Sequence, residues 1–179
     1  MEIRLSAFAD EAAADYGEQL KVLREERIPY IELRGLDGKN VADLSEEEAE
    51  KYAVQTREAG LKVWAIGSPL GKIGIGEDFE EHLRKAARVF RLAKIFGTKK
   101  VRGFSFYTKT PEADREEVLR RMKALVRLAD DNGAVLYHEN EKEIYGDTAA
   151  RCADLLDGTP GLKSVFDPAN YVQCHEDVS

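Results

Sequence analysis

The chain has 179 residues, of which 43% are hydrophobic and 34% charged, and its formal net charge is −7. This length and balance are typical of one globular domain, which we place over residues 1–179. The negative charge argues against a nucleic-acid partner, since phosphate binding needs a basic face, and no apolar run approaches the ~20 residues that span a bilayer. With two cysteines and no signal-peptide pattern, the sequence predicts a cytoplasmic protein with reduced thiols.

Short apolar runs alternate with amphipathic stretches along the whole chain. The strand-like runs cover residues 3–9, 30–34, 62–66, 100–107, 134–139 and 162–166. The helical stretches lie near residues 13–27, 46–59, 78–96, 111–131 and 148–157. Strict alternation of this kind predicts a parallel sheet whose crossover connections are right-handed.

Residues at the predicted helix ends support these ranges. Ser45 and Glu48 have the spacing of a capping box, and Pro111 after Thr110 is typical of the first turn of a helix. Three glycines stand where a helix C-terminus favours a left-handed residue: Gly60, Gly97 and Gly133. The boundaries of the second, third and fourth helices are therefore the best defined.

Two architectures fit such a sheet, an open doubly wound sheet and a closed (β/α)₈ barrel. A dinucleotide-binding doubly wound fold carries G-x-G-x-x-G after its first strand, whereas the glycines of residues 71–76 follow the third strand with a different spacing. A complete barrel takes ~250 residues and eight strands, and this chain supplies about six. We therefore expect an α/β fold of the (β/α)₈ TIM-barrel type that is incomplete, with strands seven and eight missing. The first and sixth strands would then be exposed sheet edges, which favour a homo-oligomer.

The second predicted strand carries charged residues on one of its faces. Ile31 and Leu33 suit the helix layer, so that Glu32 and Arg34 are expected inside the barrel near the top. Charges in this position are costly unless they are paired or functional. Two interpretations stay open, an ion pair that Glu32 and Arg34 make with each other and a role in substrate binding.

The fifth and sixth predicted strands both end in a carboxylate. Glu139 ends the fifth and Asp167 the sixth, where Pro168 terminates the strand. Neighbouring parallel strands lie ~4.8 Å apart, so the two side chains are expected to meet at one edge of the sheet. Two such carboxylates repel unless a divalent cation or a shared proton offsets the repulsion. The alternative is that each caps a neighbouring helix N-terminus.

Other polar residues are weaker candidates. Ser68 and Lys72 follow the third strand and are candidates to hold a hydroxyl or an anionic group of a substrate. His138 precedes Glu139 and should point away from the barrel interior, which favours a packed, hydrogen-bonded histidine. His82 lies on a charged helix and is expected to be solvated, and His175 is expected in a loop.

Four segments carry a family resemblance that runs along essentially the whole chain. They are SAFADE (6–11), IELRG (31–35), HENE followed by IYGDT (138–148) and FDPANYVQC (166–174). Together they resemble the sugar phosphate isomerase/epimerase branch of the xylose-isomerase-like TIM barrels. The resemblance implies that Glu139 and Asp167 are ligands of a divalent metal ion (Mn, Mg, Co or Zn). It also implies that Asn170, at a position where relatives often carry histidine, contacts the substrate or the surroundings of the metal.

The resemblance implies a reaction as well. Family members that interconvert sugars use paired, metal-bound glutamates to move a proton at the carbon next to a carbonyl, and the metal lowers the cost of an enediolate-like intermediate. Glu139 would be one of that pair, its partner belonging to the eighth strand, and the substrate a small sugar or sugar phosphate. Without the missing strands we expect this form to be inactive.

Two further functions stay open. Abasic-site endonucleases of the same superfamily share the Glu and Asp positions but carry histidine ligands at the ends of the third and fourth strands, where this chain has residues 67–69 and 104–107 without histidine. A non-catalytic sugar-binding protein is the other alternative. Metal content and turnover of a panel of ketoses separate the three.

Overall fold

The computed structural model describes residues 3–178, and this range contains a six-stranded sheet and six α-helices. The strands are β1 (Ser6–Ala7), β2 (Tyr30–Leu33), β3 (Lys62–Leu70), β4 (Lys100–Gly103), β5 (Val135–Glu139) and β6 (Lys163–Val165). The helices are α1 (Tyr16–Glu25), α2 (Glu46–Glu58), α3 (Phe79–Ile95), α4 (Pro111–Asp131), α5 (Ala149–Gly158) and α6 (Pro168–Gln173). A hairpin of Gly35–Leu36 with Lys39–Asn40 follows β2.

The strands lie in the order in which they occur along the chain, from β1 to β6. β1 pairs in parallel with β2, β2 with β3, and β5 with β6. Parallel strands in sequential order, joined by helices, are the arrangement of a (β/α)₈ barrel. The predicted fold class, an incomplete barrel with six parallel strands, is confirmed.

The helix ends form as their sequences predict. The Ser45 hydroxyl accepts the Glu48 N–H while the Glu48 carboxylate accepts the Ser45 N–H, so α2 begins with a complete capping box. Pro111 begins α4. The three predicted C-terminal glycines all have positive φ: Gly60, Gly97 and Gly133. Local sequence therefore sets these boundaries.

The strand ends differ more from the predictions. β1 is restricted to Ser6–Ala7 because a 3₁₀ turn already begins at Ala9. β4 ends at Gly103 because Phe106, with φ of 68°, turns away from the strand and donates its N–H to the Gly71 carbonyl. β3 continues to Leu70, and α6 is an additional helix that begins at Pro168.

The chain packs into two compact units. The first contains the described residues up to Ser68 together with Arg88–Val101, and the second contains Pro69–Ala87 together with the described residues from Arg102. Fully buried side chains at the centre of the first unit include Tyr16, Leu23, Ile31, Leu33 and Ile66. Those of the second include Phe104, Phe106, Val118, Met122 and Leu136. Over residues 3–178, no helix combines the length and the apolar character needed to cross a bilayer.

Candidate functional site

Two carboxylates stand at the ends of neighbouring strands in the second unit. Glu139 is the last residue of β5, and Asp167 follows the end of β6. Glu139 lies opposite Val165 in the parallel register, so the two carboxylates leave the sheet at adjacent strand ends. Burial raises the pKa of Glu139, and the charge of Asp167 acts in the same direction. The adjacent strand ends agree with the predicted placement of the two residues, and the convergence of their carboxylates stays a prediction.

Asn140 ties these two strand ends together. Its side-chain oxygen accepts the Asp167 N–H at 2.8 Å, and its side-chain nitrogen donates to the Asp167 carbonyl at 2.8 Å. The Asn170 side chain donates in turn to the Asn140 carbonyl at 2.9 Å. These bonds satisfy backbone groups just beyond the ladder and fix the main chain of Asp167 relative to β5.

Asp167 is also the N-cap residue of α6. Its Oδ1 accepts the Asn170 N–H at 3.0 Å. Helix capping, which the sequence left open as an alternative to metal binding, is therefore correct for this oxygen. Asn170 takes part in the same local structure through both its backbone and its side chain.

Glu139 forms a buried ion pair that the sequence analysis missed. Arg102, on β4, donates from Nη1 to Glu139 Oε2 at 2.8 Å, and the two side chains are only 12% and 11% exposed. Burial is the largest influence on the pKa of Glu139 and raises it, while the Arg102 charge and hydrogen bond oppose the rise. Strand alternation could have predicted the direction of this side chain. Arg102 lies on the face of β4 opposite Val101, and the same alternation was applied to Glu32 on β2.

A second ion pair lies beside the first. Lys72, in the loop after β3, is 2.9 Å from the Glu141 carboxylate. Its ammonium nitrogen lies 4.3 Å from the centre of the Phe104 ring, and the Arg102 guanidinium carbon lies 4.9 Å from the same ring. One buried aromatic ring therefore supports both cations through cation–π contacts.

The loop that carries Lys72 is held in place by contacts of the preceding residue, Gly71. Gly71 has φ of 85°, and a Cβ there would lie 2.0 Å from the Phe104 carbonyl oxygen, so only glycine fits. The Gly71 N–H donates to Nε2 of His82 at 2.9 Å. His82 is buried, and this burial together with the charges of Lys85 and Arg121 lowers its pKa to about 4.

The expectation of a solvated His82 is therefore wrong. Its position three residues after Phe79 and four before Ala86 lies on the apolar stripe of α3, and both of those neighbours are buried. His138, by contrast, is packed and hydrogen-bonded as predicted: its Nε2 lies 2.9 Å from the Ser105 hydroxyl. Complete burial lowers the pKa of His138 to about 4.

The first unit contains Glu32, Arg34 and Ser68, the other predicted substrate residues. Glu32 accepts a hydrogen bond from Ser6 at 2.5 Å. Arg34 donates to Asp10 at 2.8 Å and to Glu11 at 3.0 Å, so an ion pair limited to Glu32 and Arg34 is wrong. These contacts join the SAFADE and IELRG segments to each other.

Ser68 is fully buried within β3. Its hydroxyl presents no accessible surface to a ligand in this conformation. A substrate-binding role for Ser68, like that of Glu32 and Arg34, stays a prediction.

The donors at the β5 and β6 ends suit a hard divalent cation, since carboxylate oxygens are the ligands preferred by Mg²⁺ and Mn²⁺. They supply only part of a coordination shell. Within the described range, no group of three or more His, Cys, Asp and Glu residues is placed to hold a metal ion. Glu139 and Asp167 therefore have the donor chemistry for two ligands of such an ion, and metal binding by them stays a prediction.

The family profile of xylose isomerase-like TIM barrels matches residues 20–178. The chain belongs to this family. Its six sequential parallel strands agree with the barrel fold of that family. No curated protein matches the chain.

Solved structures share this fold at low sequence identity. A probable 3-DHS dehydratase from Bacillus anthracis has a TM-score of 0.77 at 21% identity, over 99% of this chain and 66% of that protein. A 3-keto-D-glucoside 4-epimerase from E. coli has a TM-score of 0.73 at 16% identity, over 99% and 72%. A xylose isomerase-like TIM barrel protein from Mycobacterium smegmatis, in complex with magnesium, has a TM-score of 0.65 at 21% identity, over 86% and 55%. The chain spans less than two thirds of the first and the third of these proteins.

Proposed function

We propose that the chain belongs to a sugar or sugar phosphate isomerase or epimerase that moves a proton at the carbon next to a carbonyl. The observation that carries this proposal is the pair of carboxylates, Glu139 and Asp167, at adjacent strand ends of the second unit. Membership of the xylose isomerase-like family and the fold shared with a 3-keto-D-glucoside 4-epimerase support the same chemistry. The carboxyl ends of the strands are where barrel enzymes of this type bind substrate.

Glu139 is the proposed base. A base that takes up and releases a proton works best when its pKa is near the working pH. Burial raises the pKa of Glu139, which is a change toward neutral pH. Arg102 stabilises the ionised form, so that the carboxylate remains able to accept a proton. β5 and the buried Asn140 hold Glu139 on a rigid element, as proton transfer at a fixed carbon requires.

Asp167 and Glu139 are the proposed ligands of a divalent metal ion. When bound, such an ion supplies polarisation of the carbonyl and hydroxyl oxygens of the sugar. Asn140 and the N-terminus of α6 orient Asp167 for this role, because they fix its backbone and one of its two oxygens. Asn170 is proposed to face the sugar from the same turn.

The abasic-site endonuclease alternative has less support. Residues 67–69 and 104–107 have no histidine, and Ser68 and Phe104–Phe106 are buried. A non-catalytic sugar-binding role stays an alternative, and the experiment below distinguishes it.

The test is Glu139→Gln in the protein that contains this chain, assayed for interconversion of a panel of ketoses and ketose phosphates with Mn²⁺ present. Loss of the base should lower turnover by about 10²-fold or more and leave the circular dichroism spectrum unchanged. Glu47→Gln, an exposed glutamate on α2, is the matched control and should keep full turnover.

Three results would contradict the proposal. Undiminished turnover in Glu139→Gln would exclude Glu139 as the base. Binding of sugars without turnover by either protein would favour the non-catalytic alternative, and cleavage of abasic-site DNA in place of sugar turnover would favour the endonuclease.

A further inference from the structure

The Arg102 guanidinium binds one carboxylate oxygen of Glu139. Its Nη1 lies 2.8 Å from Oε2, and both side chains are almost fully buried. At this depth, charges interact more strongly than at the surface, because little water screens them. Glu139 is thus already neutralised by a cation that belongs to the chain.

We propose that Arg102 is a resident counter-ion that competes with a divalent metal ion for Glu139. This inference rests on the proposed function, in which Glu139 is a metal ligand. Metal binding then requires the Arg102–Glu139 ion pair to loosen or break, so the affinity of the site is set by Arg102 as well as by its ligands.

The surroundings of Arg102 hold it in place. It lies on β4, between the buried residues Val101 and Gly103, and its guanidinium carbon is 4.9 Å from the centre of the buried Phe104 ring. Because β4 and the Phe104 ring already hold the Arg102 side chain, it loses little further conformational entropy on pairing with Glu139. The ion pair is therefore a persistent competitor, unlike a flexible surface pair.

The neighbouring groups do not replace Arg102 as a partner of Glu139. Lys72 is engaged by Glu141 at 2.9 Å, and Asp167 is a second negative charge that raises the pKa of Glu139 further. When the Arg102 charge is removed, two carboxylates remain at adjacent strand ends. That arrangement attracts a divalent cation more strongly than the arrangement with Arg102 present.

The experiment measures Mn²⁺ binding by titration calorimetry at pH 7.5 for the wild-type protein, Arg102→Met and Arg102→Lys. Arg102→Met keeps an unbranched side chain and removes the charge, and we expect it to bind Mn²⁺ about tenfold or more tightly than the wild type. Arg102→Lys keeps the charge and should stay near the wild-type affinity. Adding Glu139→Gln to Arg102→Met should abolish the gain.

A second measurement needs no variant and covers the case in which Arg102→Met fails to fold. Titration of the ¹⁵N-labelled wild type with Mg²⁺ should shift the Arg102 side-chain N–H signals saturably, as the guanidinium loses Glu139. Magnesium binding that leaves those signals unchanged would overturn the proposal.

The failure of this inference is distinguishable from failure of the proposed function. Equal or weaker Mn²⁺ binding by Arg102→Met, with sugar turnover intact in the wild type, overturns the competition and leaves the proposed function standing. A gain in Mn²⁺ affinity without turnover of any sugar by the protein that contains this chain supports the competition and counts against the proposed function.

Discussion

The two units treat charges at their strand ends in different ways. In the first unit, Arg34 is 34% exposed and shared between Asp10 and Glu11, at the rim. In the second, Arg102 is 12% exposed and is paired with Glu139 inside the protein. A partly hydrated cation that two carboxylates share, as in the first unit, joins two segments of chain, whereas a buried ion pair holds a carboxylate in a state that a ligand can change. The same strand pattern thus produces a structural contact in one place and a candidate reactive group in the other.

Arg102→Met should have the largest effect on the free energy of unfolding. It leaves Glu139 buried without its cation, and loss of one partner of a buried pair costs about 3–5 kcal/mol of unfolding free energy. Urea unfolding in the absence of metal measures the cost. In Arg102→Met with Glu139→Gln, most of the cost should disappear, since no buried charge is left unpaired. Equal destabilisation in the single and double variants would mean that Arg102 acts through packing alone.

The buried side chain of His82, in the second unit, predicts that the free energy of unfolding depends on pH. The pKa of His82 is lowered to about 4 from an ordinary value near 6.5, so the unfolded chain binds its proton first as the pH falls. Its contribution to stability is complete above pH 6.5 and is lost between pH 6.5 and 4, by up to about 3 kcal/mol. Unfolding free energies measured across this range should fall with the pH.

His82→Gln should flatten this dependence in part, because glutamine does not titrate and its side-chain oxygen can accept the Gly71 N–H. His138 shifts in the same direction and should keep the remainder of the slope. A slope that is identical in the wild type and His82→Gln would refute the assignment.

Arg34→Met should have the smallest effect on the free energy of unfolding. It is the same substitution as Arg102→Met, made in the first unit. Partly exposed ion pairs contribute about 1 kcal/mol or less, and the loss should shrink further at high salt because mobile ions screen the pairs. Urea unfolding at two salt concentrations measures it. A loss of unfolding free energy equal to that of Arg102→Met would show that depth of burial does not distinguish the ion pairs of Arg34 from that of Arg102.

Much of the fold was predictable from local sequence. The capping box at Ser45 and the glycine at 97 set helix ends that the structure reproduces within a residue. The strand ends were less predictable, because the turn at Phe106 depends on a hydrogen bond to Gly71, which is distant in sequence. Pro168 was read only as the end of a strand, and the helix it begins was missed.

For the candidate site, the sequence by itself determined which carboxylates lie at the end of β5 and just after β6. Glu139 follows from strand periodicity, and Asp167 follows from the proline directly after it, which are local properties of the chain. Only the tertiary structure decided what surrounds them. Arg102 is a neighbour of Glu139 because β4 brings it there, and His82 is buried because of what packs on α3. Periodicity gives the direction of a side chain from its strand or helix, whereas its partner, and hence its charge state, depends on which distant segment folds against it.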